Sequence, residues 1–212
     1  MILYGSSISP FVRKTLAYAA EKGIELELQA AGMGGGPPEF KVASPFGKMP
    51  GFKDGDFLIS DSSVIITYLE ALRPEPNLVP TEPRARARAV WYEEFADSIL
   101  TGAAGTMFFN RLVSPKFMGK PGDEAAAAHA EATLLPPTID YLERSIPASG
   151  YLVEGRLTLA DIAVASPFVN LMHLGWTPNS ATHPKVAAYV ASLLARPSFA
   201  GWVAKEKAQL GG

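Results

Sequence analysis

No cysteine occurs among the 212 residues. That absence excludes a disulfide scaffold, a thiolate metal site and a redox dithiol carried by the protein itself. Charge of one sign is not in excess either: 19 Lys and Arg stand against 21 Asp and Glu, a formal net charge of −2. A dedicated nucleic-acid binder shows a basic surplus or stripe, so no nucleic-acid partner is expected. Long apolar runs are missing too. The most apolar segment, Leu159 to Trp176, is interrupted by Asp161 and Pro167, and nothing is long enough to cross a bilayer. The start, Met1 to Ser7, has neither the basic flank nor the apolar core of a signal peptide. A soluble cytoplasmic protein with no membrane association is expected. His129, His173 and His183 show no metal-ligand spacing, so no metal is assigned. Phosphate-loop, dinucleotide-fold glycine and nucleophile-elbow motifs are absent as well.

What is present is a chain 48% hydrophobic and 19% charged, able to build one large domain or two small ones. It divides into two zones. In the first, Ile2-Leu3-Tyr4 reads as a short buried strand, and Ser9-Pro10 opens a helix with a favoured N-cap and a proline at the first helical position. Val12, Leu16 and Ala19 share its apolar face, Arg13, Lys14, Glu21 and Lys22 its polar one, and Gly23 ends it. Ile24 to Leu28 alternates and predicts a half-buried strand. A Gly/Pro-rich loop (Gly34 to Pro38), a short helix over Glu39 to Ala43 and a hairpin over Pro50 to Ile59 with an Asp54-Gly55 turn follow. Val64, Ile65, Tyr68, Leu69 and Leu72 then recur at helical spacing. The order βαβ, α, ββα closes naturally into a four-stranded mixed sheet with helices on it.

Arg73-Pro74-Glu75-Pro76 is a linker that no helix continues through, so the domains are set at 1–76 and 77–212. Beyond it only helical patterns occur, over about Glu82–Leu112, Asp123–Ser145, Thr158–Leu174, Pro184–Ala195 and Phe199–Ala208. Pro136-Pro137 and Pro167 are expected to kink or break their helices. Thr158-Leu159-Ala160-Asp161 fits a capping box, flanked by Leu157 and Ile162 as a hydrophobic staple. Its role is folding, and losing the Thr158 side chain would cost about 1 kcal/mol.

Several polar residues have an ordinary structural explanation. Ser9 caps a helix, and Asp61 or Ser62 does the same for the next one. Lys48 is a solvated charge, Met49-Pro50 leads in trans into an edge strand, and Arg84, Arg86 and Arg88 form a solvated face. In order and at these spacings, however, four motifs carry a resemblance. They are Tyr4-Gly5 with Ser9-Pro10-Phe11-Val12-Arg13-Lys14, Ser44-Pro45-Phe46-Gly47-Lys48-Met49-Pro50, Asp61-Ser62-Ser63-Val64-Ile65, and Leu157-Thr158-Leu159-Ala160-Asp161. Over nearly its whole length the chain resembles the glutathione transferase superfamily.

The resemblance implies an α/β domain of thioredoxin-like fold that binds glutathione, an all-helical C-terminal domain supplying most of a pocket for a small electrophile, and a homodimer. It assigns Ser9 as the group that stabilises the glutathione thiolate, with Ser7 as rival and Ser6 behind both. The chemistry fits: the thiolate is the nucleophile, a free thiol has a pKa near 8.5, and a helix N-terminus favours an anion. A hydroxyl bonded to the charged sulfur is worth about 1.5–3 kcal/mol, which is one or two pKa units at about 1.36 kcal/mol each. Met49-Pro50 resembles the family's cis-proline corner, whose preceding residue pairs with the cysteinyl backbone like an added strand. Asp61 and Ser62 match the γ-glutamyl ammonium and carboxylate, and Lys48 the glycyl carboxylate. Phe11, Met107, Phe108 and Arg111 are candidates for the second-substrate pocket. Glu70 is a candidate partner for the arginine run across a dimer interface. The missing cysteine argues against subclasses that form a protein–glutathione mixed disulfide. Isomerase, dehalogenase and reductase chemistry reuse the same thiolate and stay open, as does a binding protein of the same fold without turnover. A translation-associated or channel-like relative is set aside for want of a further domain or membrane segment.

Overall fold

The computed structural model describes residues 1–32 and 35–211, so Met33 and Gly34 of the Gly/Pro-rich loop, and Gly212, lie outside the described residues. The chain separates into two compact units, one of Met1–Leu78 with Pro197–Gly212, the other of Val79–Arg196.

The first unit is built on strands β1 (Ile2–Gly5), β2 (Glu27–Ala30), β3 (Gly51–Asp54) and β4 (Phe57–Ser60), in the order β2-β1-β3-β4. β1 runs parallel to β2 and antiparallel to β3, and β3 antiparallel to β4. Helices α1 (Pro10–Glu21), α2 (Pro38–Ala43) and α3 (Ser62–Leu72) complete the thioredoxin-like arrangement. Alternation of side chains assigns the two faces of the sheet. Phe52, opposite Leu3, meets Tyr68 of α3. Tyr4, opposite Gly51, meets Phe40 of α2. Gly51 is glycine because a Cβ there would stand 2.9 Å from the Phe40 ring.

Two strand details differ from the sequence reading. Asp54 pairs with Phe57, so the hairpin turn is Gly55-Asp56 rather than Asp54-Gly55. The second strand begins at Glu27, not Ile24, because the Ile24 amide donates to the Ala19 carbonyl at 2.8 Å and closes the end of α1.

The larger departure concerns charge. Arg13, Lys14 and Lys22, read as a polar face, are buried. The reason is a second layer over α1: the last helix, α11 (Pro197–Leu210), packs against it, as does α3. Arg13 forms a two-pronged ion pair with Glu206 (Nε–Oε1 3.0 Å, Nη2–Oε2 2.8 Å) and Ser198 donates to Glu21 at 2.6 Å. These bonds place α11 with the first unit, whereas the sequence division put everything after residue 76 together. Lys22 reaches Glu70 at 2.5 Å and the carbonyls of Pro74 and Pro76, while Tyr18 and Asn77 also donate to Glu70. Glu70 is thus engaged inside its own unit, and this corrects its candidacy as a partner for Arg84, Arg86 and Arg88, which are exposed.

The second unit is all helical: α4 (Pro83–Glu94), α5 (Thr101–Phe108), α6 (Ser114–Phe117), α7 (Glu124–His129), α8 (Leu135–Ser145), α9 (Leu159–His173) and α10 (Pro184–Leu194). α4 to α6 and α7 to α8 run on through π-helical segments at Phe95–Leu100, Phe109–Val113 and Ala130–Leu134. The prolines at 136 and 137 fall just after one of these and do not end the helix, since a widened turn accommodates residues that lack an N–H. Pro167 does not break α9 either. Among the described residues no single helix is long and apolar enough to cross a membrane.

The capping box at α9 is present, and it is larger than its motif. Asp161 is fully buried and accepts from the Thr158 amide (2.9 Å) and hydroxyl (3.2 Å), the Leu152 amide (2.9 Å) and the Tyr189 hydroxyl (3.1 Å). Burial still holds its carboxyl above the usual range. Asp161→Ala removes the acceptor from three elements at once. Each buried donor left unmatched costs about 1–3 kcal/mol, so a stability loss of about 3–5 kcal/mol is expected in urea unfolding. A loss under about 1 kcal/mol would show that the network carries little.

Candidate active site

Backbone pairing brings two helix N-termini to one end of the sheet. Tyr4 pairs with Gly51 and Gly51 with Ser60, a single row across three strands. Just past that row β1 leads to Ser9 and α1, β4 leads to Asp61 and α3, and Pro50 stands between them. The Asp61 amide donates to the Pro50 carbonyl at 3.2 Å. Lys14 Nζ reaches Ser63 Oγ at 3.4 Å, tying the start of α3 to α1.

Ser9 occupies the N-cap position of α1 with extended backbone (φ −70°, ψ 127°), followed by Pro10. Its side chain does not cap the helix, contrary to the simplest reading of the sequence. It is half-buried, whereas Ser7 is 7% exposed and Ile8 is buried as well. Phe11, two residues on, is half-buried.

The Met49–Pro50 peptide is cis. The Met49 side chain lies across Gly32, where a Cβ would come within 2.4 Å of Met49 Cε and where φ is +110°. Lys48 is exposed, and its carbonyl accepts from Ser44 Oγ at 2.6 Å. Ser44, which sequence reasoning treated only as part of a motif, therefore braces the corner.

Asp61 caps α3: one carboxylate oxygen accepts from the amides of Ser63 (2.9 Å) and Val64 (3.2 Å). Asp61 is exposed, Ser62 is buried, and Asp61 has φ 85°. A non-glycine residue held there costs of order 1–3 kcal/mol and marks a place where something other than local preference decides.

The second-substrate candidates in the helical unit are placed otherwise. Met107 and Phe108 are buried core residues of α5. Arg111 is held by Glu124 (2.6 Å) and Glu131 (2.6 Å), which keep its guanidinium firmly protonated. Its charge is already answered by two carboxylates, a correction to its role as an anion receptor. Among the described residues no group of three or more His, Asp or Glu is arranged to hold a metal.

Residues 3–77 match the family model described as glutathione S-transferase, N-terminal domain, and residues 108–206 the model described as glutathione S-transferase, C-terminal domain. A glutathione S-transferase of Hyoscyamus muticus is 30% identical over 205 residues, 94% of this chain and 95% of that protein. The chain belongs to the glutathione S-transferase family. A solved glutathione S-transferase-I with lactoylglutathione bound is similar with a TM-score of 0.82 at 25% identity, over 96% of this chain and 98% of that one. Elongation factor 1-gamma of Schizosaccharomyces pombe is 34% identical over 162 residues, 76% of this chain but 38% of that protein. That similarity runs against setting aside translation-associated relatives of this glutathione S-transferase family member.

The Asp61 geometry has a direct test. Losing an N-cap to alanine costs about 1 kcal/mol, while glycine at a cap costs a few tenths, and glycine alone is at ease at φ 85°. Asp61→Gly is expected to exceed Asp61→Ala in stability by about 1 kcal/mol in denaturant unfolding; equal stability would show that the backbone there relaxes freely.

Proposed function

We propose that this chain is a serine-type glutathione transferase that forms the glutathione thiolate and transfers it to a small electrophile. One observation carries the reading most: the Ser9 hydroxyl stands at the N-terminus of α1 without being engaged as its cap. A hydroxyl so placed donates to an anion where free N–H groups and the helix dipole already favour negative charge. Glutathione lies along the row that ends β1, β3 and β4, its cysteinyl backbone pairing with Met49 beside the cis Pro50. Asp61, with one carboxylate oxygen outside its capping bonds, takes the γ-glutamyl ammonium. Ser62 and the first amides of α3 take the adjoining carboxylate, and Lys48 takes the glycyl end. The thiolate sulfur then attacks an electrophilic carbon, displacing a halide or adding to an activated alkene. Phe11 is the one apolar candidate from the sequence that remains open to a second substrate.

A relative named elongation factor 1-gamma rather than transferase supports a second reading, a glutathione-binding domain of this fold without useful turnover. Ser9→Ala is expected to lower kcat in a halonitrobenzene conjugation assay by about tenfold to a hundredfold with the KM for glutathione little changed, the signature of a bond made in the transition state. Asp61→Asn, which keeps a capping oxygen, is expected instead to weaken glutathione binding severalfold. An unchanged Ser9→Ala rate would move the role to Ser7 or to backbone amides. Retention on immobilised glutathione without conjugation of any electrophile would favour the second reading.

We further propose a cytoplasmic homodimer. Phe46 is 90% exposed on the first unit, and on the helical unit Trp91, Ile99 and Leu134 surround an apolar pocket of about 310 Å³. A protruding apolar side chain and an apolar pocket are complementary halves that a two-fold contact between copies pairs twice. Sedimentation equilibrium is expected to give twice the chain mass, and Phe46→Asp to weaken association by about tenfold or more. A wild-type monomer at micromolar concentration would overturn the dimer.

A further inference from the structure

Arg13 is fully buried and lies four residues after Ser9. Its guanidinium donates through Nη2 to the Ile8 carbonyl at 3.3 Å while its Nε and Nη2 grip the Glu206 carboxylate. Its backbone amide donates to the Ser9 carbonyl at 3.0 Å. One residue therefore holds both peptide carbonyls that bracket Ser9, the first by its side chain and the second by its main chain. The Ser9 amide is held in turn by the Ser6 carbonyl at 3.0 Å. The Ser9 backbone is fixed from every side while its hydroxyl is not engaged as a cap.

We infer that Arg13 and Glu206 form a positioning pair: they clamp the turn before α1 so that the Ser9 hydroxyl is aimed at the glutathione sulfur. This rests on the function proposed above and adds a residue outside the ligand's reach to it. The effect is geometric. Arg13 and Glu206 cancel in charge, so the pair supplies little net field to the sulfur, and what it supplies is the orientation of one peptide. A lysine at position 13 keeps the charge but is a compact point charge without the planar fork, so it does not reproduce the two parallel bonds to Glu206 together with the Arg13 geometry at the Ile8 carbonyl.

Two variants separate positioning from plain stability. Arg13→Met with Glu206→Leu replaces the buried pair by apolar side chains of similar length, an exchange that is often neutral for folding. Arg13→Lys keeps the ion pair and loses the fork. The thiol of bound glutathione, titrated by its ultraviolet absorbance, is expected to rise by about half a unit to one unit in pKa in both. At a pH below that pKa, kcat falls by about threefold to tenfold with the thiolate fraction, and the KM for glutathione stays within about twofold. A purely structural role predicts instead that a double variant with wild-type unfolding keeps the wild-type thiol pKa and kcat, and that result would overturn the inference. Should the double variant fail to fold, the thiol titration of Arg13→Lys decides in the same way. A wild-type bound thiol no more acidic than free glutathione would sink the proposed function and this inference together. A wild-type shift that Ser9→Ala abolishes and both Arg13 variants preserve would sink this inference alone.

Discussion

Gly51 is paired on one side with Tyr4 and on the other with Ser60, and the candidate site depends on that row. It aligns the exits of β1 and β4, so that the helices that follow begin side by side at the end of the sheet. A shift of one residue in either pairing would turn every side chain of the strand to the opposite face. Phe52 would leave Tyr68, and Asp61 would lose the Pro50 carbonyl. The register is kept by what each face must bury. Phe40 fills the space over Gly51, and Phe52 fills the space under α3.

The order of elements in the first unit was legible because it rests on local signals: alternation over Ile24–Leu28, whose end falls in β2, the Ser9-Pro10 helix start, and a turn signal within one residue of Gly55-Asp56. The cis corner at Pro50 was legible only through the resemblance, since a lone Met-Pro carries no such information. What the sequence concealed was tertiary. Arg13, Lys14 and Lys22 look like a solvated face until a second layer covers α1, and the residue that answers Arg13 is 193 positions away. For the same reason the final helix was grouped with the helical zone by composition, although its bonds run to α1. Met107 and Phe108 show the converse. Apolar residues at helical spacing are more often core than pocket, and Met107 and Phe108 are buried in α5.

Buried charge follows one rule in both units. A carboxylate or cation withdrawn from water is destabilising unless several partners replace the lost hydration. Glu206 has the Arg13 fork, Glu70 has Lys22, Tyr18 and Asn77, and Asp161 has four donors. Each of these clusters ties together more than one element of its unit. The Lys22 cluster also holds the carbonyls of Pro74 and Pro76, and so fixes the course of the chain as it leaves the first unit.

The Arg13–Glu206 bond has a consequence for how the molecule is made. A nascent chain emerges from its amino end, so the sheet and its first three helices are synthesised long before Glu206 exists. Until then the guanidinium of Arg13 lacks the two bonds to Glu206. The first unit is therefore completed only after the helical unit, which lies between its two stretches of chain, has been made.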